Sequence, residues 1–96
     1  MNLIEVLARL KYLVAKDQFC LLNRRARRAQ AVTSALAKEI VKQLSIEDFR
    51  SFEEDRDRIG EYLWIFQTEY GEVYYLKFKF VENNQRVKFI SFHLSN

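Results

Sequence analysis

The sequence predicts an α+β fold in which N-terminal helices pack on a C-terminal three-stranded antiparallel sheet. In the first half of the chain, apolar residues recur at helical spacing, whereas from residue 61 onward apolar and polar residues alternate as they do along strands. A chain of 96 residues has room for one hydrophobic core. We therefore expect a single domain over residues 1–96, helical over 1–52 and with its sheet over 61–95.

Three helices are predicted before the sheet, over residues 2–16, 24–32 and 33–44. The first has an apolar stripe at helical spacing that should face the core: Leu3, Leu7, Leu10 and Val14. Thr33 or Ser34 can cap the third helix.

Two short segments complete the helical part. The sequence SIED at 45–48 is similar to a capping box and predicts one further helical turn that ends near Phe52. The apolar run at 18–23 fits either a brief edge strand or a connection between helices.

Three aromatic and β-branched runs predict strands over residues 61–68, 72–81 and 85–94. Polar turns at 69–71 and 82–84 separate them. Because both connections are short, the three strands should form an antiparallel meander.

The net charge of +3 is unevenly distributed along the chain. Residues 1–44 carry nine Lys or Arg against three Asp or Glu, residues 45–72 carry three against nine, and residues 73–96 carry four against one. Two basic blocks thus flank an acidic one, and a basic block attracts polyanions, of which nucleic acid is the commonest. The simpler alternative is a set of ordinary solvated helix faces.

Four arginines within five residues form the most basic segment: Arg24, Arg25, Arg27 and Arg28. They cover more than one face of the predicted helix, so they cannot all find local partners. Guanidinium groups match phosphate oxygens, which favours contact with an RNA backbone. Docking to the acidic stretch at 53–57, or to an acidic partner protein, is the alternative.

Several classes of function are disfavoured. Cys20 is the single cysteine, so neither an internal disulfide nor a cysteine-based metal site is expected. The acidic stretch at 53–57 has no histidine near it in the sequence and is better explained as a solvated turn than as a metal site. The sequence has no signal-peptide pattern and no apolar run near the roughly 20 residues of a membrane helix. We expect a cytoplasmic protein with no membrane partner, metal or cofactor.

Strand alternation assigns the residues of the predicted sheet to two faces. On the middle strand, the core-facing residues should be Tyr74, Leu76, Phe78 and Phe80, and the opposite face should carry Tyr75, Lys77 and Lys79. On the last strand, the inward residues should be Ile90, Phe92 and Leu94, and the outward residues Phe89, Ser91 and His93.

The open face would then combine an imidazole, a phenol and two ammonium groups, which suffice to cut RNA without a metal. The 2′-hydroxyl must lose a proton, the phosphorane must be stabilised, and the 5′-oxygen must gain a proton. Histidine transfers protons near neutral pH, and lysine stabilises the developing charge. Against this, a lone histidine near a C-terminus is more often a surface or cap residue, and alternating lysines on a strand are usually a solvated face.

Five segments follow one another in the order and with the gaps of a known family: LSIEDF at 44–49, EED at 53–55, GEYLWIF at 60–66, VYYLKFKF at 73–80 and VKFISFH at 87–93. Through this set the sequence resembles the MqsR family of toxins over slightly more than half of its length. The resemblance implies a RelE-like fold with helices on one face of a small antiparallel sheet. It also implies metal-independent cleavage of messenger RNA and neutralisation by a cognate antitoxin protein.

The same resemblance implies site residues. The active-site tyrosine of the family matches Tyr75, and Lys77 belongs to the same matched element. The terminal basic residue, a lysine in the better-known members, falls on His93.

Two further family residues differ here. The family lysine that follows the fourth helical element matches Ser51, and the neighbouring Arg50 can substitute for it. The family glutamine has no match in register, although Gln67 lies nearby.

The leading hypothesis is therefore the toxin of a bacterial toxin–antitoxin pair, an endoribonuclease that cleaves messenger RNA by general acid–base catalysis. The catalytic candidates are His93, Tyr75, Lys77 and Arg50, and the RNA-binding candidates are Arg24, Arg25, Arg28 and Lys79. Two alternatives stay open: a non-enzymatic toxin that binds a protein such as gyrase, and a non-catalytic RNA-binding module.

Overall fold

The computed structural model describes residues 1–22 and 32–95. Along the chain these residues form α1 (Leu3–Ala15), β1 (Phe19–Leu21), α2 (Ser34–Lys42), a 3₁₀ turn (Ile46–Asp48), β2 (Phe49–Glu54), β3 (Tyr62–Tyr70), β4 (Glu72–Val81) and β5 (Arg86–Leu94). The helix predicted over residues 24–32 and its arginines lie outside the described residues.

Helix α1 begins at a capping box that the sequence analysis did not include. The side-chain oxygen of Asn2 accepts a hydrogen bond from the Glu5 N–H at 2.9 Å, and the Glu5 carboxylate accepts one from the Asn2 N–H at 3.3 Å. One face of the helix is buried, along Val6, Leu7, Leu10, Leu13 and Val14. The predicted amphipathic helix is confirmed.

Helix α2 packs beside α1 and is shorter than predicted, because it ends at Lys42. Thr33 is its cap, since the Thr33 hydroxyl oxygen accepts from the Leu36 N–H at 3.2 Å. The helix buries Ala37, Ile40 and Val41.

The five strands form one mixed sheet in the order β1-β5-β4-β3-β2. β2, β3, β4 and β5 pair antiparallel, whereas β1 runs parallel to β5. The predicted fold class, N-terminal helices on a three-stranded antiparallel sheet, is therefore wrong. Residues 1–22 and 32–95 hold two α-helices and five strands. The predicted meander of the three C-terminal strands is present as the middle of this larger sheet.

Strand β1 adds a parallel edge to the predicted meander. Phe19 lies opposite Val87, and its ring meets the Phe89 ring edge-on at 5.9 Å. Phe19 is 9% exposed, so this short strand buries a large aromatic side chain. Three residues are too few to give a periodic signal, which is why the sequence left residues 18–23 open between two states.

Strand β2 takes the place of the predicted helical turn. Ser45 and Asp48 form the capping interaction, with the Ser45 N–H donating to the Asp48 carboxylate at 3.0 Å. A single 3₁₀ turn follows, and the backbone becomes extended at Phe49. The extended chain lets Phe49 and Phe52 place their rings 6.2 Å and 4.4 Å from the Trp64 ring on β3. Aromatic pairing across the strands therefore outweighs the local helix-start signal.

Both helices cover the same face of the sheet. The core between the helices and the sheet contains four phenylalanines that are 0% exposed: Phe66, Phe78, Phe89 and Phe92. We call the opposite side of the sheet the outer face. Its main residues are Leu63, Ile65 and Gln67 on β3, Tyr75, Lys77 and Lys79 on β4, and Ile90, Ser91 and His93 on β5.

A β-bulge in β5 places two residues of this strand on the faces opposite to those predicted. Lys77 lies opposite Ser91 and Phe78 lies opposite Phe89, so Ile90 is the extra residue. Phe89 consequently faces the helices, and Ile90 lies on the outer face, the reverse of the prediction. Beyond the bulge the predicted alternation holds, because Phe92 and Leu94 pack against the core.

Candidate active site on the outer face

Tyr75 and His93 form a stacked pair on the outer face, near the end of β5. They are direct cross-strand partners on β4 and β5. Their ring centroids are 5.5 Å apart and the ring planes are 23° apart. The structure thus brings together the phenol and the imidazole that the sequence placed on one face.

The imidazole of His93 is held by a backbone contact. Its Nδ1 lies 2.8 Å from the carbonyl oxygen of Leu94. Because a carbonyl oxygen only accepts hydrogen bonds, Nδ1 carries the proton in this contact. In the neutral ring, Nε2 then has the free lone pair, which is the arrangement that a general base needs.

Gln67 extends this pair into a row of three residues across the sheet. It lies opposite Tyr75 on β3, as His93 does on β5. Its amide nitrogen donates to the Ser95 hydroxyl at 3.1 Å, which fixes the side chain near the end of β5. The family resemblance gives Gln67 no register in the site. The signal that places it there is alternation, because its neighbour Phe66 is wholly buried in the core.

Lys77 occupies the next row of the outer face, opposite Ser91. Same-face neighbours along a strand are about 7 Å apart, so the Lys77 side chain can reach a group bound at Tyr75. In the structure its Nζ lies 2.9 Å from the Glu53 carboxylate instead. The side chain of Lys77 is 24% exposed and that of Glu53 is 48% exposed.

Arg50 lies at an irregularity in the pairing of β2 with β3, between Phe49 and Ser51. Its Nη1 donates to the backbone carbonyls of Glu47 and Phe49, at 3.1 and 3.2 Å. The guanidinium therefore lies against the chain at the start of β2, and Arg50 is exposed. Ser51, for which the sequence resemblance implies the position of the family lysine, lies opposite Ile65.

Lys79 differs from the other outer-face cations because it is buried. It is 4% exposed, and its Nζ lies 2.9 Å from the Asp55 carboxylate and 3.0 Å from that of Glu61. Burial lowers the pKa of Lys79, but the hydrogen bonds and negative charges of the two carboxylates outweigh it and raise the pKa above its ordinary value. Lys79 thus holds the loop between β2 and β3, and its charge is already compensated.

A cleft of about 230 Å³ opens beside the Lys77 row. Its apolar lining consists of Leu63 and Ile90, and its polar lining consists of Glu53, Glu54, Asp55, Arg56, Asp57, Lys77 and Ser91. The acidic stretch at 53–57 thus lies along one end of the outer face. The prediction of a solvated turn is wrong in part, because Glu53 and Glu54 belong to β2 and Asp55 is buried. Among residues 1–22 and 32–95, no three His, Cys, Asp or Glu side chains group closely enough to hold a metal ion.

A family model matches nearly the whole length of this chain. The model described as "Motility quorum-sensing regulator, toxin of MqsA" matches residues 4–94. The chain belongs to the MqsR toxin family. The match covers α1 and α2 as well as the sheet, so the relationship extends beyond the segments on which the sequence resemblance was based.

Membership makes this chain the toxin of a toxin–antitoxin pair, with an antitoxin as its partner. Neither the curated proteins nor the solved structures searched contain a match to this MqsR family member. Within the described ranges, no helix is long and apolar enough to span a membrane.

Proposed function

We propose that this toxin is a metal-independent endoribonuclease of the cytoplasm that cleaves messenger RNA at the row formed by Gln67, Tyr75 and His93. The supporting observation is the stacked Tyr75–His93 pair, in which Nε2 of His93 is left available while Nδ1 contacts the Leu94 carbonyl. The proposal makes these residues the chemical centre of an RNA-binding outer face.

The first step is nucleophilic attack within the RNA. Nε2 of His93 accepts the proton of a 2′-hydroxyl, whose oxygen attacks the adjacent phosphorus. The bond from phosphorus to the 5′-oxygen then breaks. The products are a 2′,3′-cyclic phosphate and a 5′-hydroxyl, so no outside reactant is consumed.

The second requirement is stabilisation of the charged phosphorane. Tyr75 can donate its phenolic hydrogen to a phosphoryl oxygen, and Lys77 can supply a positive charge from the next row. Arg50 is proposed to bind the RNA on the β2 side, where its guanidinium is exposed. His93, once protonated, can return a proton to the 5′-oxygen.

The RNA backbone is proposed to contact Arg24, Arg25 and Arg28, as the charge pattern of the sequence suggests. Lys79 is left out of this surface. A phosphate could reach its ammonium only by displacing Asp55 and Glu61, and the side chain is 5% exposed.

The direct test uses purified protein and end-labelled RNA of mixed sequence in the presence of a metal chelator. We expect the wild type to cut the RNA and His93→Ala to be slower by about 10²–10⁴, the usual contribution of an acid–base group. Glu39→Ala, at an exposed position of α2 on the other side of the sheet, is the control and should cut normally. Thermal unfolding confirms that each variant is folded.

The same variants induced in bacteria separate this proposal from its alternatives. Growth arrest with fragmented transcripts, lost in His93→Ala, supports the ribonuclease. Growth arrest with intact transcripts in both proteins would favour a toxin that binds a protein such as gyrase. RNA binding without cleavage or growth arrest would favour a non-catalytic RNA-binding module.

A further inference from the structure

The ion pair between Glu53 and Lys77 spans the full width of β3. Glu53 lies on β2 opposite Leu63, and Lys77 lies on β4 opposite Ile65. Since the strand order is β5-β4-β3-β2, the ammonium is drawn toward β2, away from the strand that carries His93. In this position the charge of Lys77 is directed away from the Tyr75–His93 pair.

The electrostatic surroundings reinforce this separation. The cleft around the ammonium also has Glu54 and Asp57 in its lining. These carboxylates repel an RNA phosphate from the cleft in which the Lys77 ammonium lies. A phosphate bound at Tyr75 and His93 can therefore meet Lys77 only if the lysine side chain leaves Glu53.

The pair is weak enough to be broken by a substrate. Nearly half of the Glu53 side chain and a quarter of the Lys77 side chain are exposed, and exposed ion pairs contribute little because water screens them. Lysine also has a long, flexible stem that can point its ammonium to either side of its own strand.

We propose that the Glu53–Lys77 ion pair is an autoinhibitory contact in which Glu53 competes with the RNA phosphate for Lys77. When RNA occupies the outer face, the ammonium moves across β4 toward β5 and contacts the phosphate. The contact limits RNA affinity and keeps Lys77 out of the site until RNA is present. This autoinhibitory role rests on the proposed function, because it requires RNA at the Tyr75–His93 pair.

The test measures RNA binding apart from cleavage. The probe is fluorescent RNA of mixed sequence with 2′-O-methyl groups throughout, which lacks the attacking hydroxyl. In Glu53→Gln, Lys77 has no competing carboxylate, so we expect the RNA to bind up to about fivefold more tightly. Because Lys77 contacts the phosphate in both complexes, the slope of log affinity against log salt should be the same for wild type and Glu53→Gln, whereas Lys77→Gln should flatten it by about 0.7.

Glu54→Gln is the matched control. It removes the same charge from the adjacent position of β2, but the Glu54 carboxylate accepts from the Gly60 N–H rather than pairing with Lys77. A general effect of net charge would appear equally in both variants. We expect Glu54→Gln to have the smaller effect on affinity and no effect on the salt slope.

A double-mutant cycle with Lys77→Gln completes the test. If Glu53 acts through Lys77, Glu53→Gln should not tighten binding in the Lys77→Gln background beyond the effect of Glu54→Gln. Equal effects of Glu53→Gln and Glu54→Gln, or weaker binding by Glu53→Gln, would overturn the autoinhibitory role. That result would leave the ribonuclease proposal intact if the wild type still cleaves RNA. A wild type and Glu53→Gln variant that both fail to bind RNA would overturn both proposals.

Discussion

Lys79 and Asp55 form an ion pair of 2.9 Å in which both side chains are 5% exposed. The second oxygen of the Asp55 carboxylate accepts from the Asp57 N–H at 2.9 Å, so the pair connects β4 to the turn that follows β2. The pair therefore stabilises the connection between β2 and the rest of the sheet.

Replacing Lys79 by Met should lower the free energy of unfolding by about 3–5 kcal/mol. The substitution removes the Lys79 ammonium from the buried Asp55 carboxylate, and removal of one partner of a buried ion pair is costly. Urea denaturation measures the change. Lys88→Met, at the cross-strand position, is the control and should change stability by less than about 1 kcal/mol. Equal values for the two variants would contradict the structural role of Lys79.

The stabilisation by Lys79 should disappear at high pH. The folded protein raises the pKa of Lys79 above the ordinary 10.5, so the folded state binds this proton more tightly than the unfolded state. The contribution is complete below the ordinary pKa and is lost as the pH rises through the raised value. We expect the stability difference between wild type and Lys79→Met to stay constant from pH 7 to about 10 and to narrow above it. A constant difference up to pH 12 would argue against this linkage.

Removing the Tyr75 hydroxyl should impair RNA cleavage without disturbing the site. Tyr75→Phe keeps the ring that stacks on His93 but loses the proposed donor to the phosphoryl oxygen. We expect a rate loss of about 10²–10³, as for other groups that stabilise a developing oxyanion. Single-turnover cleavage measures it, with Tyr70→Phe, an exposed tyrosine at the end of β3, as the control. A normal rate for Tyr75→Phe would restrict Tyr75 to holding the imidazole.

Replacing Phe19 by Ala tests whether β1 contributes to the stability of the fold. Phe19→Ala removes a nearly buried ring that packs on Phe89, and such a loss costs about 3 kcal/mol. Leu22→Ala lies just beyond the strand at a residue that is 44% exposed, and it should cost less than about 1 kcal/mol. If urea denaturation gives the same midpoint for both variants, β1 contributes little to stability.

The sequence could predict the middle of the sheet because its signals are local. Alternation along β4 placed Tyr75 and Lys77 on the face opposite Leu76 and Phe78, and the structure agrees. His93 was also assigned to this face, although the bulge at Ile90 reverses the pattern in the first part of β5. Alternation counted from the buried Phe92 assigns His93 to the outer face. Alternation counted from Phe89, which is also buried, would assign His93 to the core.

The remaining differences depend on contacts between distant parts of the chain. The alternation along β4 predicts an exposed side chain for Lys79. Asp55 and Glu61 come close to its ammonium only in the folded protein. In the same way, the aromatic residues of β2 give only a weak strand signal in the sequence, because their extended conformation depends on packing against Trp64 of β3. Pairing partners of this kind cannot be inferred from one sequence, because many registers satisfy the same local pattern.

Within residues 1–22 and 32–95, the α-helices lie on one side of the sheet, so alternate residues of each strand have different roles. Along β4, Leu76 and Phe78 are wholly buried in the core, while Tyr75 and Lys77 on the opposite face are only half-buried. Selection can therefore alter the chemistry at those half-buried positions while the alternate residues preserve the architecture. His93 lies on the same face of β5, opposite Tyr75, and is half-buried as well. Tyr75, Lys77 and His93 can therefore change at a lower cost in stability than Lys79, which is buried on the same face.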